Sequence, residues 1–159
     1  MFKVYLAGPI CGLTCWQAFA WRKLAKEVIE SWGDTLAFVP KLVGETEVPS
    51  YAQLLDARII TGPGNKALAA GDYAQVMSCQ AIFVYFNLNQ PSVGTLIEIG
   101  WAYALHKPVL LVCSETATWT SHSFLSFCAL DVFTNVRSAL VKLHEVYLDW
   151  EMTNVATAA

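Results

Sequence analysis

Residues 81–113 read AIFVYFNLNQPSVGTLIEIGWAYALHKPVLLVC. The two ends of this stretch, 81–86 and 108–113, are continuous apolar runs. A strand with one wet face alternates apolar and polar residues, whereas a strand covered on both faces does not. Between them, residues 93–106 have the length of a helix and are apolar nearly all round, so that helix is buried on more than one side. Strand, helix, strand, with both strands covered twice, predicts a parallel sheet sandwiched between helices.

Working outward, residues 3–7 form a short apolar run stopped by Gly8-Pro9, a strand signal. Residues 16–32 carry Trp21, Leu24, Ala25, Val28 and Trp32 at helical spacing. Arg22, Lys23, Lys26, Glu27 and Glu30 fill the other side, so Arg22 reads as a solvated helix-face charge. Gly33 is placed to end that helix. Residues 35–39 read as a second strand, stopped by Pro40. The stretch 41–65 is the least regular, with a short helix expected within 51–60. Residues 66–78 read as a helix weakened by Gly71, 115–127 as a loop, and 130–133 as a fifth strand. Asn135 can cap a last helix running to Trp150, with Val136, Leu140, Leu143 and Tyr147 facing inward. The expectation is an α/β, doubly wound, five-stranded parallel sheet in one domain, residues 1–150, with a frayed tail over 151–159. Ligands of such sheets bind beyond the strand C-termini, at the switch in strand order. The loops there are 8–15, 87–94 and 114–123.

Composition narrows the function. Apolar residues make up 55% of the chain, yet no run approaches the roughly 18 residues a transmembrane helix needs. The N-terminal residues could pass for a short signal peptide, but a strand followed at once by Gly8-Pro9 argues against it. The apolar excess instead suggests an oligomer interface. A net charge of −3 without a Lys/Arg cluster excludes a nucleic-acid polymer as partner and leaves a single phosphate group open. The five cysteines (Cys11, Cys15, Cys79, Cys113 and Cys128) contain no C-x-x-C pair. They read as reduced thiols of a cytoplasmic protein. Cys11 and Cys15 lack further ligands for a zinc site.

Glu98 is the only carboxylate in 81–113. An ionised carboxylate among apolar residues is costly unless it is paired or used. One reading makes Thr95-Leu96-Ile97-Glu98 a capping box. The other has Glu98 in the first helical turn, held ionised by the helix dipole and facing the crevice. The second suits a nucleophile better than a general acid.

Four segments, in order, resemble the nucleoside 2-deoxyribosyltransferase family. They are Tyr5-Leu6-Ala7-Gly8-Pro9-Ile10, Trp21-Arg22, Gly71-Asp72-Tyr73, and the block from Ser92-Val93-Gly94-Thr95 through Glu98-Ile99-Gly100-Trp101-Ala102. The resemblance implies a flavodoxin-like fold and cleavage of a bond between a sugar and a nucleobase. By that resemblance Glu98 attacks C1′ to give a covalent glycosyl-enzyme, resolved by an acceptor base or water. Tyr5 orients Glu98, and Asp72 contacts the base and helps proton transfer to it. Gly8, Pro9, Ile10, Ser92, Gly94 and Thr95 line the substrate. Ser121, His122 and Ser123, from a neighbouring subunit, complete the site, so a homodimer or higher oligomer is implied. No metal or organic cofactor is needed. Each residue also has an ordinary reading: Asp72, Ser92 and Thr95 as helix caps, Tyr5 as a sheet-edge tyrosine, His122 as an exposed loop histidine.

The departures bear on substrate. Family members acting on free nucleosides often carry Asp where Ser92 stands. Ser92 is more similar to relatives that hydrolyse nucleoside 5′-monophosphates, since a helix N-terminus without a carboxylate welcomes phosphate. Those relatives usually supply an Arg where this chain has Cys11. The family's Ser-Asp before the third strand is replaced by Cys79-Gln80, a structural change rather than a chemical one. The lysine-decarboxylase-like phosphoribohydrolases share a G-T-x-x-E helix start but precede it with Pro-Gly-Gly, not Pro91-Ser92-Val93. Three functions follow: deoxyribosyl transfer between nucleobases, hydrolysis of a nucleoside monophosphate, and non-catalytic nucleotide binding.

Overall fold

The computed structural model describes residues 1–10, 13–40, 66–86, 92–113 and 122–158. The short helix expected within 51–60 lies outside these residues, as do Cys11 and Ser121. In chain order the elements are β1 (Phe2–Ala7), α1 (Cys15–Glu30), β2 (Thr35–Phe38), α2 (Lys66–Ser78), β3 (Ala81–Phe86), α3 (Val93–Ala104), β4 (Val109–Cys113), α4 (Ser123–Cys128), β5 (Asp131–Phe133) and α5 (Val136–Ala158). The five strands make one sheet in the order β2-β1-β3-β4-β5. Every neighbouring pair is parallel.

The strands alternate faces, and both faces are covered. Phe2, Val4 and Leu6 of β1, with Ala81 and Phe83 of β3, pack against Trp21, Ala25 and Ile29 of α1 and Leu140, Leu143 and Tyr147 of α5. Tyr5 and Ala7, with Ile82, Val84 and Phe86, pack against Val76 of α2, Ile99 and Ala102 of α3 and Leu125 of α4. This two-sided burial is why 81–86 and 109–113 carry no polar alternation.

Local chemistry sets the element ends. Thr14 caps α1 and forms a reciprocal capping box with Gln17. Past the end of α1, Gly33 takes φ +127°, a conformation side chains disfavour. Gln80 fixes the entry to β3: its side chain accepts from Lys3 N and its own N–H donates to Lys3 O, both at 2.7 Å. Asn135 caps α5 by accepting from Ser138 N at 2.9 Å.

Two elements differ from the sequence reading. A helix, α4, occupies 123–128, where a loop was expected. α5 does not fray at Trp150 but continues to Ala158. Its last turns are tied back by side-chain bonds from Thr153 to Asp149 O and from Asn154 to Trp150 O.

Candidate active site

The change in strand order falls between β1 and β3, where the connections depart in opposite directions and open a crevice. Tyr5, on β1, points to the α2/α3 face and is fully buried. Its hydroxyl donates to Glu98 Oε1 at 2.8 Å. The reading of Tyr5 as a sheet-edge tyrosine is thereby corrected. β1 is an inner strand, and the hydroxyl ends on a carboxylate.

Glu98 does not sit where the capping-box reading puts it. Ser92 is the N-cap of α3, accepting from Thr95 N at 3.5 Å. Glu98 therefore lies in the second turn, beyond the reach of a dipole effect that fades within the first. Burial decides its protonation instead. With only 8% of its surface exposed, Glu98 is pushed from an ordinary value of 4.5 up to about 7. The hydrogen bond from Tyr5 and the charge of Arg22 pull the other way, and the charge of Asp72 adds to the rise. The expectation of a carboxylate held ionised by the helix start is corrected to one poised near neutrality.

Asp72, on α2, is half-buried, and burial raises its pKa against the Tyr5 hydrogen bond and the Arg22 charge. Tyr5 itself is driven far above the phenol range, first by burial and then by the negative charges of Glu98 and Asp72. The phenol is thus a fixed proton donor, and the two carboxylates are the groups that change charge. The charge of Asp72 is one of the causes that raise Glu98.

Arg22 corrects another reading. It is fully buried rather than solvated. Its Nε donates to Leu6 O at 3.2 Å, its Nη2 to Gly8 O at 2.7 Å, and its Nη1 to Ala18 O. The guanidinium lies 4.5 Å over the Trp21 ring. Burial draws its pKa down to about 10, opposed by the charges of Glu98, Tyr5 and Asp72. The sequence offered one signal. Arg22 stands four residues after Ala18 and three before Ala25, on the buried stripe of α1.

Gly8 begins the loop after β1, and its backbone runs close to β3. A Cβ there would meet Tyr85 O at 2.8 Å and the Trp21 ring at 2.9 Å. Pro9 is buried and Ile10 half-buried. Ile10 O accepts from Leu13 N at 3.2 Å, closing the turn toward α1. At the start of α3, Thr95 is buried, Gly94 is exposed and Ser92 is half-buried. His122 and Ser123 open α4, are exposed, and are not part of the buried Tyr5–Glu98–Asp72 group.

A cavity of about 330 Å³ lies on the α1 side, lined by Pro9, Leu13, Trp16, Gln17, Ala20, Trp21 and Tyr85. None of these described lining residues is a carboxylate, histidine or lysine, so the chemistry is assigned to the carboxylates across the strand. Among the described residues, no cluster of three or more His, Cys, Asp or Glu could hold a metal ion. Cys79, Cys113 and Cys128 are free thiols. No helix among the described residues is long and apolar enough to cross a membrane.

A family model described as nucleoside 2-deoxyribosyltransferase matches residues 4–138. No curated protein sequence matches significantly. Among solved structures, the chain is similar to a 2-deoxyribosyltransferase from Leishmania mexicana, with TM-score 0.61, 16% identity, and coverage of 91% of this chain and 98% of that one. It is similar to the 2-deoxyribosyltransferase of Bacillus psychrosaccharolyticus, with TM-score 0.61, 19% identity, and coverage of 87% and 90%. It is also similar to a CMP N-glycosidase from Clostridium botulinum, with TM-score 0.54, 19% identity, and coverage of 89% and 98%. At these identities the structural likenesses establish the fold.

Proposed function

The chain belongs to the nucleoside 2-deoxyribosyltransferase family, and from that premise we propose that it moves a 2-deoxyribosyl group from a nucleoside to a second nucleobase. The observation that carries this reading is the Tyr5 hydroxyl held 2.8 Å from the buried Glu98 carboxylate, with Asp72 in the same electrostatic group. In the first displacement a Glu98 oxygen bonds to C1′ and the bond from C1′ to the base nitrogen breaks. The electron pair leaves on the base, and Asp72, whose pKa is raised, delivers a proton to the ring nitrogen. In the second displacement a nitrogen of the incoming base attacks C1′, gives its proton to the Asp72 carboxylate and releases the Glu98 carboxylate. Two inversions retain configuration. Tyr5 holds Glu98 in line and stabilises its charge whenever it is a leaving group.

Incubating a 2′-deoxynucleoside with a different free base tests the proposal. A new nucleoside is expected, and release of free sugar alone would exclude transfer. A sugar adduct trapped on Glu98 by a 2-fluoro-sugar nucleoside identifies the nucleophile. If the parent turns over nothing while Glu98→Ala binds ligand as tightly, the chain is a binding module.

One observation favours a second reading, hydrolysis of a nucleoside 5′-monophosphate. The first turn of α3 carries no acidic residue, and its N-cap is the neutral Ser92. A helix N-terminus of that kind suits a phosphate. Offering the same nucleoside with and without its 5′-phosphate distinguishes the two.

The proposal includes a homo-oligomer in the cytoplasm. Val93, Ile97, Tyr103, Phe124 and Phe127 are exposed on α3 and α4. That surface is what a second copy of the chain would cover. Buried free thiols at Cys79 and Cys113 suit a reducing compartment.

A further inference from the structure

Arg22 carries a charge in a place where charge is costly. Its helix faces the sheet side opposite Tyr5 and Glu98. Among the described residues its hydrogen bonds go to three backbone carbonyls, one near the end of β1 and one just past it. Those two, Leu6 O and Gly8 O, bracket Ala7 and come directly after Tyr5. The guanidinium thus sits behind the strand that presents the phenol, and beneath the loop of Gly8, Pro9 and Ile10.

We infer that Arg22 is a positioning residue of the proposed reaction: it clamps the end of β1 beneath the Gly8 loop and sets a positive charge behind the strand that presents Tyr5 to Glu98. The inference rests on the proposed function for its kinetic consequence, though not for its electrostatic one. Around Glu98, the ionisable groups are Tyr5 from β1, Asp72 from α2 and Arg22 from α1. Strand β4 adds the Cys113 thiol, the end of α2 the Cys79 thiol, and α4 no charge beyond His122 at its cap. Among the described residues, Arg22 is the cation that acts on Glu98. On its own side it lies over the rings of Trp21 and Phe19, and Trp21 packs on Tyr85 of β3 at 5.1 Å. A guanidinium held by neutral carbonyls keeps its full charge available, whereas one paired with a carboxylate would be largely cancelled.

Two variants separate clamp from charge. Arg22→Gln keeps a donor for the carbonyls and removes the charge; Arg22→Lys keeps the charge and loses the fork. The acid limb of kcat/KM, set by Glu98, is expected to move up by about one pH unit in Arg22→Gln, a tenfold loss of rate on that limb, and to stay in place in Arg22→Lys. Both variants are expected to raise KM, because the loop carbonyl of Gly8 is less firmly held. The same shift should appear without turnover, in the NMR titration of the Glu98 side-chain carboxyl, assigned through Glu98→Gln. If Arg22→Gln does not fold, the parent suffices. The Arg22 Nε–H signal should shift across the Glu98 titration and remain still in Glu98→Gln. An Arg22 signal indifferent to Glu98, or an acid limb unmoved in Arg22→Gln, overturns the inference. A protein that turns over no nucleoside or nucleotide but shows the coupled titration overturns the proposed function alone.

Discussion

Replacing Glu98 by Gln should stabilise the protein at alkaline pH and leave its stability unchanged in acid. Gln has the same shape and can still accept the Tyr5 hydrogen bond. In the folded chain the carboxyl titrates at about 7 instead of 4.5, so between those values the folded state holds a proton that the unfolded state has released. Stability therefore falls as pH rises through this window. Below pH 4.5 the carboxyl is neutral in both states and resembles the amide. Above pH 8 the folded protein carries a buried charge that the variant lacks. A displacement from 4.5 to about 7 corresponds to about 3 kcal/mol at 1.36 kcal/mol per pH unit. That displacement already contains the repulsion between Glu98 and Asp72. Urea unfolding at pH 4, 6 and 8, at one fixed protein concentration, measures it. With m of roughly 1–3 kcal/mol per M, the midpoint of Glu98→Gln should lie about 1–3 M above the parent at pH 8, with no separation at pH 4. A gap that does not change with pH, or one in which the variant is the less stable at pH 8, would refute burial as the force acting on Glu98.

Removing the Tyr5 hydroxyl with Tyr5→Phe takes away a bond that favours the charged carboxylate, so the acid limb should move to higher pH and kcat fall by about 10- to 100-fold; pH–rate profiles of parent and variant decide it. Asp72→Asn should slow the reaction by about 10²–10⁴-fold with ordinary bases. That loss should shrink with bases that leave readily without protonation, and an equal loss across leaving groups would remove Asp72 from the proton path. Gly8→Ala forces a Cβ to 2.8 Å from Tyr85 O. The overpacking should cost about 1–3 kcal/mol, read as a lower melting temperature, and an unchanged melting temperature would mean that the loop yields freely.

The sheet was legible because its two most buried strands have a composition that no half-exposed strand or loop would carry. Strand order was less accessible, since it depends on which segments pair across long separations. The partnership of Tyr5 with Glu98 spans 93 positions in the chain, and no local pattern announces it; family resemblance supplied it. Glu98 was placed one turn too early because Ser92 and Thr95 can both cap, and only the backbone path chooses Ser92. Arg22 was misjudged by residue type. Its partners are peptide carbonyls, which have no side-chain identity to read. Its position between Ala18 and Ala25 was the clue, and it was outweighed by neighbours such as Leu24, which turns out half exposed. α4 went unseen because SFLSFC is too short to display a period, and two of its aromatic residues face outward.

The long reach of that tyrosine has a further consequence for how the protein is made. β1 is synthesised before β3, yet β3 is its inner neighbour, in a register that sets Tyr5 opposite Ile82. Until those later residues leave the ribosome, Val4, Tyr5 and Leu6 have only β2 beside them in the sheet. Parallel pairing over such distances makes folding slow. The nascent chain must carry an apolar strand in waiting until Ala81–Phe86 is made. Chaperone supply and translation speed, rather than the stability of the finished fold, should then govern how much protein accumulates.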